Sequence, residues 1–171
     1  MSLSDQLAHA FNEQINLEFE SAYAYLGMAA WCEAAGLTGF ARWLRAQAQE
    51  ETDHGLRFFN FVLDRDQRVE LTDIAATPAN YDSVLDVFRA ALGREQRVTA
   101  AIGDLYAKAT AEHDYASVPI LNWFTTEQIE EEATVRQIVA ELERVGDNTA
   151  ALVLLDREMA QRREAVETDS A

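Results

Sequence analysis

Glu51 and His54 stand three residues apart in a row that is otherwise largely apolar. Phe40, Leu44, Gln47, Glu51, His54, Phe58 and Phe61 recur at alternating spacings of four and three. That rhythm lines side chains along one face of an α-helix, the face that points into a core. A carboxylate and an imidazole there can form a buried ion pair, or they can hold a cation. Carboxylate oxygens with one imidazole nitrogen suit iron, manganese or zinc better than copper. Left alone, such a carboxylate costs several kcal/mol in desolvation, so it requires a partner of one kind or the other.

Three further stretches repeat the anomaly. The row Leu7, Phe11, Ile15, Glu18, Ala22, Tyr25 and Ala29 holds Glu18 as its one charge. Val84, Phe88, Ala91, Glu95, Val98, Ile102, Leu105 and Ala109 hold Glu95 alone. Ile120, Phe124, Gln128, Glu131, Val135, Ile138, Leu142 and Val145 hold Gln128 and Glu131. No Lys or Arg enters any of these rows, so ion pairing explains them poorly, and a bound cation supplies the missing positive charge.

Four long helices must carry the rows. With 7 Gly and 2 Pro in 171 residues, helix dominates. The expected helices run over about 5–35, 39–66, 82–111 and 114–145, with a short fifth at about 148–163. Ser4 or Ser2, Thr38, and Asp147 or Asn148 are candidate caps, and Gly36 and Gly146 are natural stops. The tight turn at Gly36–Gly39 makes the first two helices antiparallel, which sets Glu18 level with about residue 55. Folding the third helix onto the fourth about residue 113 sets Glu95 level with residue 131. The pattern lapses over about 67–80; extended at roughly 3.3 Å per residue, that stretch reaches about 46 Å. Helices of 28–30 residues are about as long, so the connection can traverse the bundle. The expected fold is all-α: one domain over 1–171, a four-helix bundle running up-down-down-up with a long crossover, plus a short C-terminal fifth helix. The apolar side of that fifth helix must pack on an end of the bundle or on a partner.

A formal charge of −16 repels nucleic acid and anionic membrane and concentrates cations, so neither is expected as a partner. The single Cys32 cannot make an intrachain disulfide, and no run of 18 apolar residues occurs. A cytoplasmic setting is expected.

The chain resembles the bacterial non-haem ferritins over nearly its full length. The matching stretches are Asn12-Glu13-Gln14-Ile15-Asn16-Leu17-Glu18, Gln49-Glu50-Glu51-Thr52-Asp53-His54, Glu95-Gln96, and Trp123-Phe124-Thr125-Thr126-Glu127-Gln128-Ile129-Glu130-Glu131. The resemblance implies a ferritin-like fold in which Glu18, Glu51 and His54 hold one iron, while Glu51 bridges to a second held by Glu95 and Glu131. Gln128 matches the glutamine beside the pair. Ferritin-like di-iron bundles in general place Glu-x-x-His on two helices; here Gln128-x-x-Glu131 replaces the second copy. Glu50, Glu127 and Glu130 match a third, inner-surface iron site, with solvated surface acids as the competing reading. Tyr25 matches a tyrosine near the di-iron site, as electron donor, hydrogen-bond partner or plain core residue. Trp123 reads as packing, and His9 and His113 as solvent-facing.

The function implied is iron storage and detoxification by a ferroxidase. Fe(II) would be oxidised by O2 or H2O2, and ferric mineral would collect inside a homo-oligomeric shell, a 24-mer in the family. No haem is expected, because Thr52 stands where a bacterioferritin carries its haem-ligating Met. The alternatives are a miniferritin or bacterioferritin-type di-iron protein, and a non-catalytic helical interaction bundle.

Overall fold

The computed structural model describes residues 2–162. Local chemistry sets where three of the helices start. The Ser4 hydroxyl accepts the Leu7 N–H at 3.1 Å and begins α1 (Asp5–Ala34). The Ser83 hydroxyl does the same for Asp86 at 3.1 Å and begins α3 (Val84–Ala111). The Asn148 amide oxygen accepts the Ala151 N–H at 3.1 Å and begins α5 (Thr149–Gln161). Gly36, at φ +76°, turns α1 into α2 (Thr38–Asp64), and Gly146, at φ +50°, ends α4 (Val118–Val145). Both dihedrals lie in the left-handed region that glycine enters without steric cost.

Several expected bounds shift. Thr38 does not cap α2; it is the helix's first residue, and Leu37 before it offers no side-chain bond. The Phe40 N–H instead donates to Asp156 Oδ1 at 2.9 Å, so the cap comes from α5. The fourth helix begins at Val118, not at 114, after a one-turn 3-10 helix at Tyr115–Ser117. There Asp114 is gripped by Arg65 through two bonds of 2.7 and 3.2 Å, which ties the end of α2 to the start of α4. The second helix stops at Asp64, short of 66, because Asp66 takes φ 55°. The expected end of the fifth helix at 163 lies outside the described residues.

The connection over 65–83 runs along α1. Asn12 accepts the Glu70 N–H at 2.8 Å and donates to the Arg68 carbonyl at 2.9 Å. One turn on, Asn16 binds the Glu70 carbonyl and the Thr72 N–H, both at 2.9 Å. Further along, Thr77 lies over Gly27, and the Tyr81 ring meets Trp31 edge-on at 5.9 Å. The chain therefore climbs the whole of α1 before α3 starts, so α3 runs parallel to α2. The bundle is up-down-down-up, and no strand occurs among the described residues.

The apolar core falls into two clusters. One holds Phe11, Ile15, Phe58, Val62, Ile102 and Phe124; the other holds Phe40, Leu44, Phe88, Ile138 and, from α5, Leu155 and Met159. The levels of Glu18, Glu51, Glu95 and Glu131 fall between them. The fifth helix thus closes one end of the bundle. It approaches closely at Gly39, where an added Cβ would lie 1.7 Å from the Asp156 carbonyl oxygen.

Candidate metal centre

Each of the four long helices sends one acid into the layer between the two clusters. Glu18, Glu51 and Glu95 have no exposed surface, and His54, Gln128 and Glu131 are buried. Ligand atoms of Glu18, Glu51 and His54 lie within 4.8 Å of one another. His54 Nδ1 is 3.6 Å from Glu51 Oε2, and the imidazole stands edge-on to Trp123 and Phe124 at 5.5 and 5.4 Å, which fixes its plane.

The surrounding polar groups hold one oxygen each of Glu18, Glu95 and Glu131, and leave the second oxygens of Glu18 and Glu95 open. Gln14, one turn before Glu18, donates to Glu18 Oε1 at 2.7 Å. The Tyr25 hydroxyl donates to Glu95 Oε1. Gln47 donates to Glu131 Oε2 at 3.0 Å, and Thr99 donates to Gln128 Oε1 at 3.1 Å. With the acids ionised, what remains is a set of buried atoms with no hydrogen-bond partner: Glu18 Oε2, both Glu51 oxygens, His54 Nδ1, Glu95 Oε2 and Gln128 Nε2; Glu18 and Glu51 lie close enough to share a hydrogen bond once one of them is protonated. Buried polar atoms are ordinarily satisfied, and each orphan costs free energy, so a convergent group of them calls for a ligand. Four oxygens and a ring nitrogen suit a hard or borderline divalent cation. Glu51, with both oxygens open, is the one acid shaped to serve two cations at once.

Electrostatics agree. The Glu18 carboxyl is pushed well above the usual range by burial, then by the neighbouring Glu51 charge. Burial, then Glu95, does the same to Glu51, and burial raises Glu95. The Tyr25 phenol is raised by burial and by Glu95, so it stays protonated and able to donate. Without a cation, the cheapest relief for crowded carboxylates is to hold protons.

That relief predicts a pH dependence. The raised acids bind more protons folded than unfolded, where a carboxyl titrates near about 4.3. Their contribution to stability is complete below the ordinary range and is lost as pH rises through the raised folded values. The melting temperature of metal-free protein should therefore climb between about pH 8 and pH 5.5, and climb less in Glu51→Gln. Equal pH profiles in the two proteins would contradict this electrostatic reading.

A second group adjoins the first. Ligand atoms of Glu50, His54 and Glu127 again lie within 4.8 Å of one another, so His54 stands in both groups. Glu50 and Glu127 are half-buried, and burial raises the Glu127 carboxyl. Glu130 is exposed and is not part of that trio, but it lines the same cleft of about 240 Å3 with Glu50, Glu127 and Glu131. Gln47 donates to Glu50 Oε2 at 3.2 Å as well as to Glu131, and so links the two groups.

The structure thus brings together Glu18, Glu51, His54, Glu95, Gln128 and Glu131 in one layer and sets Glu50 and Glu127 beside it. Sequence reasoning missed the supports Gln14, Gln47 and Thr99. Signals existed: Gln14 lies four residues before Glu18, and Gln47 sits in the inner row of α2. Tyr25, expected near the di-iron site, reaches across to Glu95 on α3 with its hydroxyl.

Comparison with known proteins gives a consistent picture. Residues 8–145 match the family model of the ferritin-like domain. A bacterial non-heme ferritin of Staphylococcus haemolyticus is 39% identical over 160 residues, covering 94% of this chain and 96% of that protein. One from Staphylococcus aureus is 38% identical over the same length and shares. Among solved structures, an open-pore ferritin from the archaeon Archaeoglobus fulgidus superposes with a TM-score of 0.92 at 40% identity, covering 94% of this chain and 98% of that one. A humanized archaeal ferritin gives 0.93 at 40% identity, with the same coverage.

Proposed function

Since the chain belongs to the ferritin family, we propose that it stores iron and oxidises Fe(II) at the layer of inner acids. The observation that carries this reading is the set of orphaned ligand atoms on Glu18, Glu51, His54 and Glu95. Iron is the substrate and cargo. Glu18 and His54 would bind one Fe(II), Glu95 and Glu131 a second, and Glu51 would join the two. Gln128, whose amide nitrogen is unpartnered, would donate to water or oxidant entering beside the pair. Each Fe(II) gives up one electron, so a pair supplies the two electrons that, with two protons, convert O2 to H2O2. Peroxide can in turn serve as the oxidant.

The protein's own contribution is positioning. Gln14, Tyr25 and Gln47 hold the outer oxygens, so the inner ones are preset for binding. Burial excludes bulk water, and cation binding releases the protons held by Glu18 and Glu51. Ferric product would move out past Glu50, Glu127 and Glu130, which we propose as the third iron site. The family supports a homo-oligomeric shell, proposed as a 24-mer, and a surplus of acids favours cation accumulation around it. The proposed setting is the cytoplasm. Cys32 is inert there, its buried thiol pushed up to about 12, and no helix among the described residues is long and apolar enough to cross a membrane.

Aerobic addition of Fe(II) to the purified, iron-free protein tests the reading. Ferric absorbance should grow far faster than in buffer, with a rapid first phase that fills the pair on each chain, and should continue to grow as further Fe(II) is added. A non-catalytic bundle would show only the buffer rate. Haem is a separate expectation. Thr52 donates to the Ala48 carbonyl at 2.8 Å and offers no thioether, so the purified protein should lack a stoichiometric Soret band. A band at about one haem per two chains would contradict that.

A further inference from the structure

Arg94 precedes Glu95 on α3 and lines a separate cleft of about 210 Å3, between α1, the end of the connection and α3. Arg97 and Tyr81 also line it, and no carboxylate does. The Nη1 of Arg94 is buried and makes no hydrogen bond. Arg97 reaches Glu20 only at 3.9 Å, and its side chain is 63% exposed. Elsewhere Arg45, Arg65, Arg89, Arg136 and Arg162 each come within 3.0 Å of a carboxylate. In a chain with 30 acids to 14 bases, a buried guanidinium nitrogen without an acceptor, in a cleft whose lining holds no carboxylate, stands out; Arg97 sits between that cleft and Glu20.

The cleft also has room. Ala24, Ala90 and Gly93 line it with small side chains, and a Cβ built on Gly93 would meet nothing within 4 Å. Helix packing therefore does not require glycine at that position. A guanidinium presents its donors in a planar fork that matches oxyanion geometry, and a buried donor without an acceptor is costly. Tyr81 also lines the cleft, its ring set edge-on against Trp31.

We propose that this cleft is a binding site for a small tetrahedral oxyanion of the phosphate type, held by Arg94 with Arg97 and Tyr81. The site is independent of the iron reading, because it needs no metal.

The test is equilibrium dialysis of the iron-free, assembled protein against inorganic phosphate, with chloride added to constant ionic strength. Wild type should show saturable binding approaching one phosphate per chain. Arg94→Gln should weaken it at least about tenfold, since it removes the charged fork. Gly93→Leu, which fills the cleft while leaving both arginines and favouring helix, should do the same. Arg136→Gln, at an exposed ion pair, should bind like wild type. Absence of saturable binding to wild type would overturn the proposal; that includes the case in which a carboxylate of a second copy occupies the cleft. Binding that persists unchanged in Arg94→Gln and Gly93→Leu would overturn it too. The iron oxidation rate is not at stake in any of these outcomes.

Discussion

Replacing Glu51 with alanine should abolish rapid Fe(II) oxidation while leaving the bundle folded. Glu51 is the one acid of the layer with both oxygens unpartnered, and it faces Glu18 and His54 on its own side and Glu95 across the bundle. Its loss removes a ligand from each of two cations at once. The initial rate should fall by about 100-fold or more, beyond the effect of disturbing a supporting residue. Folding should survive, because the same change removes a like charge from a crowded group. The cavity left by the shorter side chain works the other way. The melting temperature of metal-free Glu51→Ala should therefore stay within a few degrees of wild type. Stopped-flow absorbance and circular dichroism check the two halves. Wild-type oxidation in the variant would sink the assignment of Glu51. Gross unfolding would contradict the view that the acids serve the metal and not the fold.

The second large effect concerns the fifth helix. Gly39→Ala should force α5 off the bundle end. The new Cβ would lie 1.7 Å from the Asp156 carbonyl oxygen and 2.6 Å from its carbon, and backbone atoms cannot turn aside as a flexible side chain could. The helices must separate, which also weakens the Phe40 N–H bond to Asp156 Oδ1 and uncovers Leu155 and Met159. Overpacking costs about 1–3 kcal/mol, and loss of a helix cap adds about 1 kcal/mol. Better helix propensity returns somewhat less than 1 kcal/mol near a helix start. The net loss should be about 1–3 kcal/mol. Gly103→Ala on α3 is the control, since its Cβ meets nothing within 4 Å, and it should be neutral or slightly stabilising. Thermal melts and limited proteolysis near residues 146–148 measure both. Equal stability of Gly39→Ala and wild type would show that α5 is not docked as described.

These two sites differ in how far the sequence reveals them. Period and spacing expose the acid layer, because a charge in an apolar row breaks a pattern that local folding alone creates. Turn positions then set Glu18 level with His54, and Glu95 level with Glu131, before any tertiary contact is known. The docking of α5 depends on a meeting between residues 39 and 156, which no local pattern records. For the same reason Thr38 reads as a cap while the real one comes from Asp156. Gln14 and Gln47 escape notice for a different reason. Glutamine is at home on a solvated face or in a helix interior, so its type does not announce that its amide orients a buried acid. Helix ends shift where long-range bonds intervene, as at Asp114, which is held by Arg65.

The most direct measurement is anomalous diffraction at the iron edge from crystals soaked anaerobically in Fe(II). Two peaks per chain are expected in the buried layer. One should lie among Glu18, Glu51 and His54, the other among Glu51, Glu95 and Glu131, and both should weaken sharply in Glu51→Ala. Peaks confined to exposed acids such as Glu130, with the inner layer empty in wild type, would contradict it.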